Sequence, residues 1–200
     1  VETTIIPHQT EVLRGYDLIV LPGGFSFGDY LRPGALAKLT AVAAPLRRWA
    51  RTGRLLGIGN GFQILCELGI LPGVFLPNPG LTFNSSRIFI RFEGGKSFLR
   101  NTFQPGEILT LPLACYYGRY FAAGRIRRDN TEQNLITFRY CAEDGTVDEE
   151  FYANQSTDGV AALSNADGNA LGIMAHPERA VEEMFGSADG LRFLRAVITA

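Results

Sequence analysis

Short apolar runs that end at glycine or proline alternate with stretches of helical period along this chain. Val1 to Pro7 has the apolar content of a strand. Leu18-Ile19-Val20-Leu21 is a continuous apolar run closed by Pro22-Gly23-Gly24, as expected of a strand buried on both faces. Pro33 stands where a first helical turn tolerates proline. After it Leu36, Leu39, Val42, Ala43, Leu46, Trp49 and Ala50 recur at three- and four-residue steps. That spacing predicts one core-facing helix stopping near Gly53. Leu55 to Ile58 predicts a second buried strand, running through Gly59-Asn60-Gly61 into a helix over Phe62 to Leu68, which Gly69 and Pro72-Gly73 end. Strand, helix, strand, sharp turn and helix in that order indicate a parallel α/β sheet. Between residues 81 and 160 the rhythm changes. Arg87–Phe92, Glu107–Leu113 and Leu135–Cys141 read as strands joined by turns. Leu171–Ala175 is a further short strand, and helical segments close the chain, the last with Leu191, Leu194, Val197 and Ile198 on one face. The prediction is a single α/β domain over residues 1–200 with an added antiparallel portion.

Composition narrows the function without naming it. With 200 residues, 46% of them hydrophobic, the chain can bury one sizeable core. A net charge of −1 favours neither nucleic acid nor an anionic membrane. No apolar stretch reaches the roughly 20 residues of a membrane span, and Val1-Glu2-Thr3-Thr4 lacks the basic start of a secretory signal. Cys66, Cys115 and Cys141 are odd in number and widely spaced, forming neither a disulfide framework nor a metal knuckle. A reducing, cytoplasmic setting is the expectation.

Two segments carry candidate chemistry. Gly57-Ile58-Gly59-Asn60-Gly61 has the layout of a nucleophile elbow, in which a strained turn between strand and helix exposes its central residue. The first amides of the following helix can then stabilise an oxyanion. Glycine at the centre has neither thiol nor hydroxyl, so covalent catalysis from residue 59 is impossible. A plain glycine-rich turn fits the pentapeptide equally well. The second segment is His176-Pro177-Glu178-Arg179. Pro177 biases His176 toward an extended conformation, and residues two apart in extended chain share a side. Glu178 could then orient the imidazole as in a catalytic triad; the alternative is a strand-end histidine capping a loop. The other histidine, His8, reads as structural or exposed.

Together these segments resemble a class I glutamine amidotransferase. The run Leu21-Pro22-Gly23-Gly24-Phe25-Ser26-Phe27-Gly28-Asp29-Tyr30-Leu31-Arg32-Pro33-Gly34-Ala35 is similar to the oxyanion loop of the glutaminase subunits of phosphoribosylformylglycinamidine synthase. Gly61-Phe62-Gln63-Ile64-Leu65-Cys66-Glu67, Leu71-Pro72-Gly73 and Gly172-Ile173-Met174-Ala175-His176-Pro177-Glu178-Arg179-Ala180 fit the same subunits. The resemblance spans essentially the whole chain and implies a doubly wound, mostly parallel sheet flanked by helices. It also implies roles. Glutamine would bind beside the elbow, near Gly23, Gly24, Asn60 and Gln63, with amides near Gly24 and Asn60 forming the oxyanion hole. A cysteine at position 59 would attack the side-chain amide, His176 would shuttle the proton, and Glu178 would orient His176. No metal or cofactor is implied for this chain. Ammonia would pass to a large synthetase subunit, which would use ATP and magnesium in de novo purine synthesis, and a third small subunit could join. Absence of a Gly-x-x-x-x-Gly-Lys loop agrees with ATP binding elsewhere.

Three departures qualify that expectation. Gly59 replaces the cysteine, which implies a chain that does not hydrolyse glutamine; a non-catalytic module that docks on the synthetase is the alternative. Cys115-Tyr116-Tyr117 stands where the family has histidine, glycine and glutamate, so two bulky rings could fill the pocket or reshape it. Cys115 as a substitute nucleophile is disfavoured, since nothing in the sequence depresses its thiol pKa. Finally, the family begins with a strand and helix ahead of the segment matching Val1 to His8.

Overall fold

The computed structural model describes residues 1–29 and 31–200; Tyr30, within the run from Leu21 to Ala35, lies outside the described residues. The strands are β1 (Leu18–Leu21), β2 (Arg54–Ile58), β3 (Val74–Leu76), β4 (Asn84–Phe92), β5 (Ile108–Cys115), β6 (Arg119–Phe121), β7 (Ile136–Cys141), β8 (Val160–Ser164) and β9 (Ala170–Ile173). Seven of them form one sheet in the order β1-β2-β9-β8-β7-β4-β5. β1 pairs with β2, and β2 with β9, in parallel. The remaining neighbours pair antiparallel, so the expected antiparallel portion continues the same sheet. A separate ribbon joins β3 to β6. The helices are α1 (Ala43–Trp49), α2 (Asn60–Glu67), α3 (Gly124–Glu132) and α4 (Asp189–Thr199). Among the described residues no helix is long and apolar enough to cross a membrane.

Burial follows strand position. β8 and β9 are buried along their whole length, as central strands covered on both faces should be. Edge strand β5 alternates, with Leu109, Leu111 and Leu113 turned inward, the two-residue period of a half-buried strand. Pro112 fits there because an edge strand can spare an N–H.

Helix α2 is seated against the sheet more closely than side chains would allow. A Cβ on Gly61 would run into the Leu21 carbonyl, one on Gly172 into the Phe62 ring, and one on Gly57 would lie 2.7 Å from the Gly61 backbone. These glycines are required by proximity: none has the positive φ that by itself would favour glycine.

Several expected elements differ. Val1 to Pro7 forms no strand: no ladder partner pairs with it among the described residues, and Ile5 is 90% exposed. The single helix expected from Pro33 to Ala50 is broken into a 3-10 turn at Leu36–Leu39 and α1. Pro45 explains the break, because its ring excludes the hydrogen bond to, and clashes with, the carbonyl four residues back. Thr40 accordingly turns extended (φ −78°, ψ 157°) and Leu39 is left 76% exposed. In α4 the buried face is Gly190, Phe193, Ala196 and Val197, while Ile198 faces outward. β3, β6, β8 and α3 were not expected.

Phe62 is fully buried and cannot yield to an added methyl without repacking. Gly172→Ala is therefore expected to lower the unfolding free energy by about 1–3 kcal/mol in urea titration; a change below roughly 0.5 kcal/mol would show that α2 is not held at this contact.

Candidate functional site

The elbow stands at the carboxyl end of β2. Gly59 has φ 53° and ψ −110°, a combination that costs an L-residue about 1–3 kcal/mol and glycine far less. Its N–H donates to Ile173 O of β9 (2.8 Å), and its carbonyl accepts from Phe62 N (3.0 Å). The backbone of residue 59 is thereby fixed between the last parallel strand and the first turn of α2.

His176 arrives from the end of β9. Its N–H donates to Pro112 O of β5 (2.8 Å) and its side chain is buried. The segment after it is not extended, as the sequence had suggested. Pro177–Arg179 closes a 3-10 turn with Pro177 at its first position, and Arg179 N donates to His176 O (3.1 Å). Glu178 reaches back around this turn, and Nδ1 of His176 lies 2.7 Å from its Oε1. An Nδ1–H donated to that carboxylate leaves Nε2 as the basic nitrogen. α4 backs the turn: Leu191 N donates to Ala180 O (3.2 Å), and a Cβ on Gly190 would strike Pro177 O.

The imidazole occupies a slot between two glycines. A Cβ on Gly59 would lie 3.0 Å from His176 Cε1 and 3.1 Å from Nε2, with Gly23 Cα 3.7 Å away. A Cβ on Gly23 would lie 2.6 Å from Cε1 and 3.0 Å from Nδ1. A side chain at 59 would therefore emerge against the basic face of His176, beside the backbone of Gly23. Among the described residues, the N–H groups of Gly23 and Gly24 donate no hydrogen bond.

Asn60 and Gln63 join the elbow to its neighbours. Ser26 N donates to Asn60 Oδ1 (3.3 Å), Asn60 Nδ2 to Gln63 Oε1 (2.8 Å), and Gln63 Nε2 to Tyr117 O (2.8 Å). The chain of bonds links the oxyanion loop, α2 and the Cys115–Gly118 turn. Asn78 pins that turn from the other side, donating to Cys115 O (2.8 Å) and accepting from Gly118 N (2.8 Å), while its own N–H donates to Tyr116 O (2.9 Å). Sequence reasoning missed Asn78; an asparagine between Pro77 and Pro79 carries no signal beyond that of a loop. Tyr116 and Tyr117 meet edge to face with centroids 5.0 Å apart. Tyr116 and Tyr117 are half-buried.

None of the three cysteines is an activated thiol. All three are free and buried. Burial pushes the Cys115 thiol up to about 11, against the weaker opposing effect of bonds from Asn154 and Asn78, which leaves almost no thiolate at neutral pH. Burial likewise pushes Cys66 upward. His8 packs edge to face on Phe27 of the oxyanion loop at 5.8 Å.

A strand-to-helix elbow, the buried His176 paired with the part-exposed Glu178, and a glycine loop whose Gly23 and Gly24 amides have no partner among the described residues meet here, an arrangement of the amidotransferase type. Known proteins share this family and fold. The family model of the CobB/CobQ-like glutamine amidotransferase domain matches residues 2–189. The phosphoribosylformylglycinamidine synthase subunit PurQ of Aquifex aeolicus is 47% identical over 180 residues, covering 90% of this chain and 79% of the relative. That of Gloeobacter violaceus is 40% identical over 199 residues, covering 99% and 86%. The solved structure of PurLQS from Thermotoga maritima matches with a TM-score of 0.79 at 36% identity, over 94% of this chain and 81% of that one. A glutamine amidotransferase of known structure from Thermotoga maritima shares the fold, with a TM-score of 0.54 at 16% identity over 92% of this chain and 63% of that one. The chain belongs to the CobB/CobQ-like glutamine amidotransferases and, among them, to the PurQ subunits of phosphoribosylformylglycinamidine synthase.

The Glu178 carboxyl has a signed pH dependence. Burial pushes it upward, but the hydrogen bond and charge of His176, a backbone amide and Arg179 outweigh burial and hold it below the ordinary value of 4.5. A carboxyl depressed in the folded state stabilises that state above its unfolded pKa, and the contribution fades as the pH falls through the folded pKa. The stability gap between this chain and Glu178→Gln should shrink as the pH falls from about 5 through 4.5 and below. Urea titrations across that range measure it; a gap unchanged at the acid end would mean that Glu178 gains nothing from His176.

Proposed function

We propose that this chain is the glutamine-binding subunit of a phosphoribosylformylglycinamidine synthase in purine biosynthesis, with its hydrolytic step disabled at residue 59. The observation that carries the reading is the position of His176, whose Nε2 lies 3.1 Å from where a Cβ at residue 59 would be. A histidine so placed, with Nδ1 committed to Glu178, suits deprotonation of a nucleophile at 59 and protonation of leaving ammonia. The unbonded amides of Gly23 and Gly24 suit the oxyanion of a tetrahedral intermediate. Only the attacking atom is lacking, and removing a nucleophile from such a unit leaves little beyond binding and oxyanion stabilisation. His176, Glu178, Gly23, Gly24, Asn60 and Gln63 are the residues proposed for the site.

The proposed partners are a third, small subunit together with a large synthetase subunit, on the precedent of the PurLQS structure. ATP and magnesium would act on the large subunit. The elbow, the His176 turn, the oxyanion loop and the Cys115–Gly118 turn lie at one end of the sheet. That end exposes Phe25, Phe27, Leu31 and Phe83, an apolar set suited to a partner surface.

One observation favours a purely docking role. The Gln63 amide is already bonded at both ends, to Asn60 and to Tyr117 O, as suits a pocket closed to substrate. Ammonia release from glutamine, measured with the synthetase partner present, separates the two readings. The unaltered chain is expected to show none above background, and Gly59→Cys is expected to gain activity by at least about 10³-fold. Gly59→Cys that binds the partner yet stays silent would favour the docking role, and turnover by the unaltered chain would overturn the proposal.

A further inference from the structure

The oxyanion loop is an improbable conformation to hold. Phe27 (φ 62°) and Leu31 (φ 69°) both stand in the left-handed region, where side chains larger than glycine are strained and persist only when their surroundings enforce it. The loop is laid along α2 and touches it at three levels. At the first residue of α2, Asn60 Oδ1 accepts from Ser26 N. In the middle, Gly34 lies so near that a Cβ would come within 2.9 Å of Ile64 N and 3.1 Å of Gln63 C. At the last residue, Glu67 takes two bonds from Arg32, Nε to Oε1 (2.6 Å) and Nη2 to Oε2 (3.0 Å), and one from Lys38 Nζ to Oε2 (3.2 Å).

Glu67 is the unusual member. A carboxylate at a helix C-terminus opposes the helix dipole, and this one is only 7% exposed, against 52% for Arg32 and 37% for Lys38. A nearly buried carboxylate in an unfavourable position, gripped by two cations from one loop, acts as an anchor for that loop. The bidentate Arg32 contact adds direction as well as attraction. The bond from Arg32, which outweighs burial, together with that from Lys38 and both charges, holds Glu67 below the ordinary carboxylate value.

We propose that Glu67 is a positioning residue for the oxyanion loop: through Arg32 and Lys38 it clamps the strained 22–39 segment onto α2 and keeps Gly23 and Gly24 beside residue 59. The catalytic part of this rests on the glutaminase reading above; the clamp itself does not. Hydrogen exchange of the full chain tests the clamp. Glu67→Gln, and separately Arg32→Gln on the exposed side of the pair, should speed exchange over residues 22–35 by at least about tenfold while peptides from β2 and β9 keep their protection. With Gly59→Cys and the synthetase partner present, Glu67→Gln should cut kcat about 10- to 100-fold and leave KM for glutamine within about threefold. A merely structural loss would instead lower protection across the sheet and the fraction of active protein. Unchanged exchange over 22–35 in both variants overturns the clamp. Faster exchange with unchanged kcat in the Gly59→Cys background overturns its catalytic meaning. If Gly59→Cys does not turn over glutamine at all, the glutaminase reading fails, and the exchange result alone decides for or against the clamp.

Discussion

Everything at this centre depends on how closely α2 approaches backbone. The helix meets the Leu21 carbonyl at Gly61, the oxyanion loop at Gly34, and β9 where Phe62 covers Gly172. At the first two points backbone meets backbone, and at the third the Phe62 ring lies directly on the Gly172 backbone. β2 turns abruptly into α2 at this point, and Gly59 N–H, continuing the parallel β2–β9 ladder, donates to Ile173 O. Parallel pairing of β1, β2 and β9 sets their carboxyl ends side by side, so that Gly23, Gly59 and His176 come together although they are far apart in sequence.

Much of this was legible in the sequence, and the reasons differ from residue to residue. The elbow could be read because close approach demands glycine, and Gly57, Gly59 and Gly61 recur at alternate positions. The His176–Glu178 pairing could be read from its spacing, although the turn that brings it about is 3-10 and not extended. Elements without an apolar signature stayed hidden. α3 buries only Asn130 along its length, so it has no stripe to detect. β8 is a short buried run rich in alanine with no period of its own. The apolar period after Pro33 runs on through Pro45, whose ring forbids a continuous helix, so the segment divides into a 3-10 turn and α1. Side-chain to backbone ties such as those of Asn78 depend on residues some 40 positions away and leave no local trace.

The same contacts hold the site together without a side chain at residue 59. The elbow is held by backbone bonds at Gly59, His176 by Pro112 and Glu178, and the oxyanion loop by Asn60 and Glu67. None of these involves a side chain at residue 59, and glycine relaxes the one conformation there that an L-residue would strain. The paired rings of Tyr116 and Tyr117 lie on a turn that Asn78 and Ser156 hold by its backbone and that the Gln63 amide joins to α2.

The proposed function stands or falls on residue 59, and no existing cysteine, being the seat of the missing nucleophile. Intact mass and peptide mapping after treatment with an electrophilic glutamine analogue is the decisive test. Gly59→Cys should take one adduct, at residue 59, and lose it when His176 is also replaced by alanine; the unaltered chain, with Cys66, Cys115 and Cys141 buried, should take none. An adduct on Cys115, or labelling of the unaltered chain at any cysteine at a comparable rate, would contradict that assignment.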